Sequence, residues 1–240
     1  MNQATARQLG AELAALLQQG EVDAALQRLQ PLLSTRMHFR LLDELGKSLA
    51  EARPAAIRGF LNQVGEGRSM GGWVVIASAL RVQLSSDFHS PLVACKRYVE
   101  LADVWYATDI FGERVPGPSL LKDLPAALAE MSAWRMDENS WVRCMPGVAL
   151  HYWAKRTRGE AQPGEVNQLL EFIQPMFSEK EMDALKGIGW GLKTLGRYYP
   201  EPVSKWLMEQ VVELKRPFRK LMVKKASTYL PGDVRTLLQG

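Results

Sequence analysis

Residues 187–197 read GIGWGLKTLGR, and the apolar spacing around them decides the fold. Leu185, Ile188, Leu192 and Leu195 recur at intervals of three and four. At about 100° per residue that spacing is one stripe of an α-helix. Trp190 points almost directly away from the stripe and shares its face with Lys186, Lys193 and Arg197. Such a helix buries one side and turns a basic side, with an indole in its middle, outward. Gly187, Gly189 and Gly191 each cost a helix about 1 kcal/mol relative to alanine. Residues without a Cβ permit close backbone contact there, with a neighbouring helix or with a ligand.

Segments of the same kind recur outward in both directions. Apolar residues keep helical spacing over stretches of roughly a dozen to twenty residues. Short breakers such as "QQGEVD", "SSDFHSP", "RGEAQPGE" and "LPGD" separate them. Ser90 before Pro91, Asn139 before Ser140, and Ser178 with Glu181 three residues on are helix-start signals, the last a capping box. No run alternates apolar and polar residues and no Asn-Gly turn is present, so strands are not expected. The segments pair as 4–19 with 22–34, 37–52 with 54–64, 69–84 with 91–111, 118–135 with 139–157, 163–177 with 179–199, and 201–214 with 217–230. Each pair spans roughly 30 to 45 residues, the period of HEAT-like repeats. The expected fold class is all-α, an α-solenoid (superhelix) of about six HEAT-like helical pairs in a single domain, residues 1–240. A plain irregular bundle is the alternative.

Composition narrows the class of function. With 47% hydrophobic and 23% charged residues the chain is an ordinary globular protein, and a net charge of +4 permits an anionic partner without requiring one. Cys95 and Cys144 lie in apolar runs and are expected as small buried hydrophobes in a reducing compartment. The opening "MNQATARQLGAELAALLQQ" shows no basic stretch followed by an apolar one, and "GGWVVIASAL" is about half a bilayer span. A soluble, cytoplasmic protein with no membrane contact is expected. No His or Cys cluster offers a metal site, so neither metal nor cofactor is expected.

Four side chains stand out. On the segment 91–111, Tyr98, Ala102, Trp105 and Asp109 form one stripe, setting an indole beside a carboxylate in apolar surroundings. A partly desolvated carboxylate is one setting for chemistry; a helix-end cap is the plainer reading. Arg143 is the only charged residue between Trp141 and Ala154. It is read either as an ion pair with a neighbouring repeat or as a bidentate grip on a phosphate. Trp190 among cations suits a nucleic-acid platform or a cap over the adjacent repeat. The run "KRPFRKLMVKKASTYL" contributes Arg219, Lys220 and Lys224 with no acid among them, the asymmetry a phosphate-tracking surface needs. Asp109, Arg143 and Trp190 lie about one repeat apart. They are therefore expected on second helices of consecutive pairs, facing one concave groove.

The ordered set "WYATD" (105–109), "SWVR" (140–143), "KGIGWGL" (186–192) and "PFRKLMVKKASTYL" (217–230) resembles the DNA alkylation repair family of HEAT-like-repeat glycosylases. The resemblance is best from about residue 90 to residue 230. It implies an all-helical enzyme that removes cationic alkylated purines, such as 3-methyladenine and 7-methylguanine, from double-stranded DNA without a base-flipping pocket. It implies that Asp109 stabilises positive charge developing on the deoxyribose and helps position water. Trp105 and Trp190 would cradle the sugar-phosphate, and Arg143 would hold a phosphate. Lys155, Lys186, Lys193, Arg197, Arg219, Lys220 and Lys224 are the expected DNA-binding cations, and a monomer is the expected state. A catalytically silent DNA-binding protein and a protein-interaction scaffold are the competing readings of the same residues.

Overall fold

A computed structural model describes residues 1–239, and every regular element among the described residues is helical. By compactness the chain forms two units, Met1–Val115 and Pro116–Gly240. The first unit holds α1 (Gln3–Gln18), α2 (Val22–Leu33), α3 (Phe39–Leu49), α4 (Pro54–Glu66), α5 (Met70–Gln83), α6 (His89–Ala102) and α7 (Trp105–Arg114). In it α1 packs on α3, α3 on α5 and α5 on α7, while α2, α4 and α6 form a second row against them. The α5 helix is apolar nearly all round and is buried from Gly72 to Leu80, as a helix enclosed on every side must be. Trp73, Tyr98 and Phe111 join three helices into an aromatic core, Tyr98 and Phe111 stacked at 5.9 Å.

The second unit holds α8 (Pro116–Lys122), α9 (Leu124–Glu130), α10 (Ser140–Thr157), α11 (Pro163–Ile173), α12 (Met182–Tyr198), α13 (Pro200–Met208), α14 (Lys220–Ala226) and α15 (Gly232–Gln239). Short 3₁₀ turns cover Ser132–Met136 and Gln174–Ser178, and a wider π-type turn covers Glu209–Glu213. Here α8, α10, α12 and α14 pack in sequence, with α11, α13 and α15 alongside. Leu185, Ile188, Leu192 and Leu195 are all fully buried, as the opening stripe predicts. The glycines of α12 meet a neighbouring helix. A Cβ on Gly191 would lie 2.4 Å from the Gly147 carbonyl oxygen, and one on Gly147 would lie 2.3 Å from the Gly187 backbone. Backbone therefore touches backbone where α10 and α12 run side by side.

The segment 91–111 is not one helix. Asp103 adopts a left-handed conformation, φ 49°, which closes α6, and extended Val104 opens α7 with Trp105 as its first residue. Aspartate is among the few residues that tolerate this region. The predicted stripe running from Tyr98 to Asp109 is thus broken between Ala102 and Trp105. The break also shifts the pairing. Helix α7 lies in the row of α5, the first helix of its pair, so Asp109 is not on a second helix. Helices α10 and α12 share a row with α14 and remain the second helices of the pairs 118–135 with 139–157 and 163–177 with 179–199, with Arg143 and Trp190 on them. The Ser178–Glu181 capping box does not form either: Ser178 ends a 3₁₀ turn and Glu181 is the N-cap, without a side-chain hydrogen bond. Asn139 does cap α10, accepting from the Trp141 and Val142 amides.

Candidate functional site

In the first unit, α7 buries Ala107, Thr108, Ile110 and Phe111 and leaves Trp105, Asp109 and Glu113 as its outward stripe. The Trp105 indole is 62% exposed, at the very start of the helix. Asp109 sits one turn further on and is half-buried. Burial pushes its carboxyl up to about 6, and the neighbouring Glu113 carboxylate adds to the rise. The cation carried by the same helix, Arg114, is committed elsewhere. Arg114 pairs with Asp43 through Nε at 2.7 Å and Nη2 at 3.2 Å, and Ser78 donates to the same carboxylate at 2.6 Å. Asp109 itself makes no hydrogen bond or ion pair among the described residues. An uncompensated, partly desolvated carboxylate beside an exposed indole is suited to stabilise a cation that arrives from outside.

In the second unit, α10 places Arg143, Gly147, His151 and Lys155 one turn apart along a single stripe. Arg143 forms the ion pair that was one of its two readings. Its Nε and Nη2 donate to Glu179 at 2.7 and 3.3 Å, and Nη1 donates to the carbonyls of Asp137 and Glu138 at 2.6 and 3.0 Å. Burial pushes the Glu179 carboxyl up, but Arg143 and the Glu181 and Lys180 amides outweigh it and hold the group below its ordinary range. A two-toothed grip on phosphate needs the edge that Glu179 already occupies, which leaves one N–H of Arg143 for any other acceptor.

Trp190 is half-buried, not a free-standing solvent-facing ring. Its ring lies flat on His151, centroids 3.8 Å apart and planes at 27°. The cap over an adjacent repeat is therefore formed, because α10 runs along the flank of α12 that a helical wheel leaves open. Thr194 Oγ1 donates to the Trp190 carbonyl at 3.0 Å, so its lone pairs receive His151 Nδ1–H at 2.7 Å. Burial, with Lys155 nearby, lowers the His151 imidazole to about 4, so it is neutral at physiological pH.

Beyond the Trp190–His151 stack the surface is basic. Lys186 and Arg197 are exposed and Lys193 partly so. Lys193 Nζ and Arg197 Cζ stand 5.2 and 5.4 Å from the centre of the exposed Tyr229 ring. Lys225 lies across Gly189, and burial, then Lys193 and Lys186, lower its ammonium from the ordinary range. Arg219, Lys220, Lys224 and Lys155 are exposed. Sequence reasoning missed Tyr229, Glu179 and the His151–Thr194 support, and read Lys225 only as one cation of the basic run 215–230. Tyr229 was visible only as an aromatic after the basic run, and Glu179 only as the acid preceding α12.

The profile of the family described as DNA alkylation repair enzyme matches residues 74–230 of the chain. The chain belongs to the DNA alkylation repair enzyme family. No curated protein matches this family member individually. A solved structure similar to the DNA alkylation repair protein is that of Pseudomonas fluorescens alkylpurine DNA glycosylase AlkC bound to DNA containing an abasic site analogue. The two share 17% identity and a TM-score of 0.54, over 93% of this chain and 62% of AlkC. The chain thus spans less than two thirds of AlkC, and at this identity the likeness is one of helical-repeat fold. Among the described residues no helix is long and apolar enough to cross a membrane.

Proposed function

We propose that this alkylation repair protein is an alkylpurine DNA glycosylase. It hydrolyses the N-glycosidic bond of cationic purines, of the 3-methyladenine and 7-methylguanine type, in double-stranded DNA without a base-flipping pocket. The observation that carries the reading is the half-buried Asp109 carboxylate, raised to about 6 and without an ion pair among the described residues, beside the exposed Trp105. An alkylated purine that already bears positive charge leaves as a neutral base, so no acid is needed to protonate it. The barrier lies in the oxocarbenium character of the deoxyribose. A fixed carboxylate in a partly dry site stabilises that charge by a few kcal/mol, as preorganised groups do elsewhere. Above about pH 6 Asp109 is ionised and can also hold the water that adds to the sugar carbon.

Trp105 and Trp190 offer flat apolar faces to the sugar-phosphate, Trp190 stiffened by His151 behind it. Lys155, Lys186, Lys193, Arg197, Arg219, Lys220 and Lys224 neutralise phosphates. Arg143 acts in this scheme through its one remaining N–H, with Glu179 fixing the direction in which it points. The reaction as written uses no metal or cofactor, and DNA as the partner is supported by the AlkC complex.

Release of methylated purine from duplex DNA by the wild type, Asp109→Asn and Arg143→Ala tests the proposal. Release by the wild type, lost in Asp109→Asn while DNA binding persists, is the expected result, with Arg143→Ala weakening both. A wild type that binds methylated DNA and releases nothing is instead a silent DNA-binding protein. One that does not bind DNA is a scaffold.

A further inference from the structure

The first unit carries a cavity of about 420 Å³ between α4, the end of α5 and the start of α6. Its size falls within the range of small-ligand pockets. Ile57, Leu61 and Leu80 form an apolar floor and are buried, and Val93 on the rim is 52% exposed. Two guanidinium groups line the same space, Arg58 from α4 and Arg97 from α6. Among the described residues neither is neutralised by an acid. Arg58 makes no hydrogen bond or ion pair among the described residues. Arg97 donates to the neutral amide oxygen of Asn62, which also accepts from the Tyr98 hydroxyl at 2.7 Å, and its Cζ lies 5.1 Å from the Tyr98 ring centre.

The acid that does line the cavity is already engaged. Asp87 accepts the His89 and Ser90 amides at 2.9 and 3.1 Å, closing the first turn of α6. Ser90 and these amides hold its carboxyl below the ordinary range. Asn62 fixes Arg97 without cancelling its charge, which is how a protein holds a cation ready for an anion supplied from outside. Neither residue belongs to the surfaces assigned above to DNA. The cavity also combines charge with an enclosed apolar floor, which a phosphate backbone does not require.

We propose that this cavity binds a small organic anion with an apolar body, its carboxylate or phosphate head between Arg58 and Arg97 and its body against Ile57, Leu80 and Val93. The proposal is independent of the glycosylase reading. Fluorescence titration of the full chain with 1-anilinonaphthalene-8-sulfonate tests it, with neutral N-phenyl-1-naphthylamine as the uncharged comparison. Saturable binding of one sulfonate per chain is expected, with the neutral probe at least tenfold weaker. Arg58→Gln and Arg97→Gln should each weaken the sulfonate about tenfold, the worth of a charge-assisted hydrogen bond. Both arginines are exposed, so the variants keep the wild-type melting temperature. Ala94→Phe, which fills the space from α6, should abolish binding of both probes. Displacement by dodecanoate identifies a carboxylate head and displacement by phenyl phosphate a phosphate head. Displacement by neither overturns the proposal. So does sulfonate binding that is indifferent to both arginine substitutions, or equal affinity for the two probes.

Discussion

Replacing Asp109 with asparagine exchanges a costly charge for an amide of the same shape, and the structure sets the size and sign of the effect. The carboxyl is raised from 3.8 to about 6 in the folded protein by burial and then by Glu113. At about 1.36 kcal/mol per unit that is a ceiling of ~3 kcal/mol. Asp109 keeps contact with solvent, and screening reduces the figure to about 1 kcal/mol. The sign follows from linkage. Because the folded pKa lies above the unfolded one, the folded state binds the proton more tightly, and stability from this group falls as pH rises from about 4 to about 6. Asp109→Asn should therefore be more stable than the wild type by about 1 kcal/mol at pH 8, or roughly 2–4 °C in melting temperature for a chain of this size. The difference should vanish at pH 4 and below. Comparing the two proteins at each pH cancels His151, whose lowered pKa acts in the opposite direction. In the same samples base release should fall by about 10²–10³. Wild-type release should decline tenfold per unit below about pH 6, as one proton silences the carboxylate. A variant that releases base at the wild-type rate, or that is less stable than wild type at pH 8, refutes the reasoning.

Four further results are expected. Gly191→Ala drives a Cβ to 2.4 Å from the Gly147 carbonyl oxygen and should cost about 3 kcal/mol, seen as a fall of roughly 6–12 °C in melting temperature. Glu179→Gln leaves Arg143, whose side chain is only 14% exposed, without its carboxylate. It should cost about 3 kcal/mol by denaturant unfolding, while the apolar pair Arg143→Met with Glu179→Leu recovers most of the loss. The His151 ring resonances should not titrate between pH 8 and pH 5 in an NMR series, moving only near pH 4. Lys186→Gln, Lys193→Gln and Arg197→Gln should each reduce the slope of log affinity for duplex DNA against log salt by about 0.9. An unchanged slope removes that residue from the interface.

Much of this protein is written in local patterns. The stripe Leu185–Ile188–Leu192–Leu195 is buried as a 3.6-residue period requires, Asn139 caps the helix it precedes, and the all-helical repeat class follows from segment length and breakers. The glycines of 187–191 announced a close approach without naming the partner. Trp105 and Asp109 were legible as an indole and a carboxylate one turn apart, a relation that survives because both lie on α7.

What the sequence could not decide was which groups satisfy one another across helices. The Asp103 break is a single residue entering the left-handed region, and no apolar period records it. Arg143 and Glu179 are 36 residues apart, and His151 and Thr194 are 43 apart. Only packing α10 beside α12 turns a lone arginine into a partly buried ion pair and an apparently outward tryptophan into half of an aromatic stack. Periodicity is a property of one helix and is written in its own residues. Desolvation and charge pairing depend on distances between helices, and those exist only once the chain has folded.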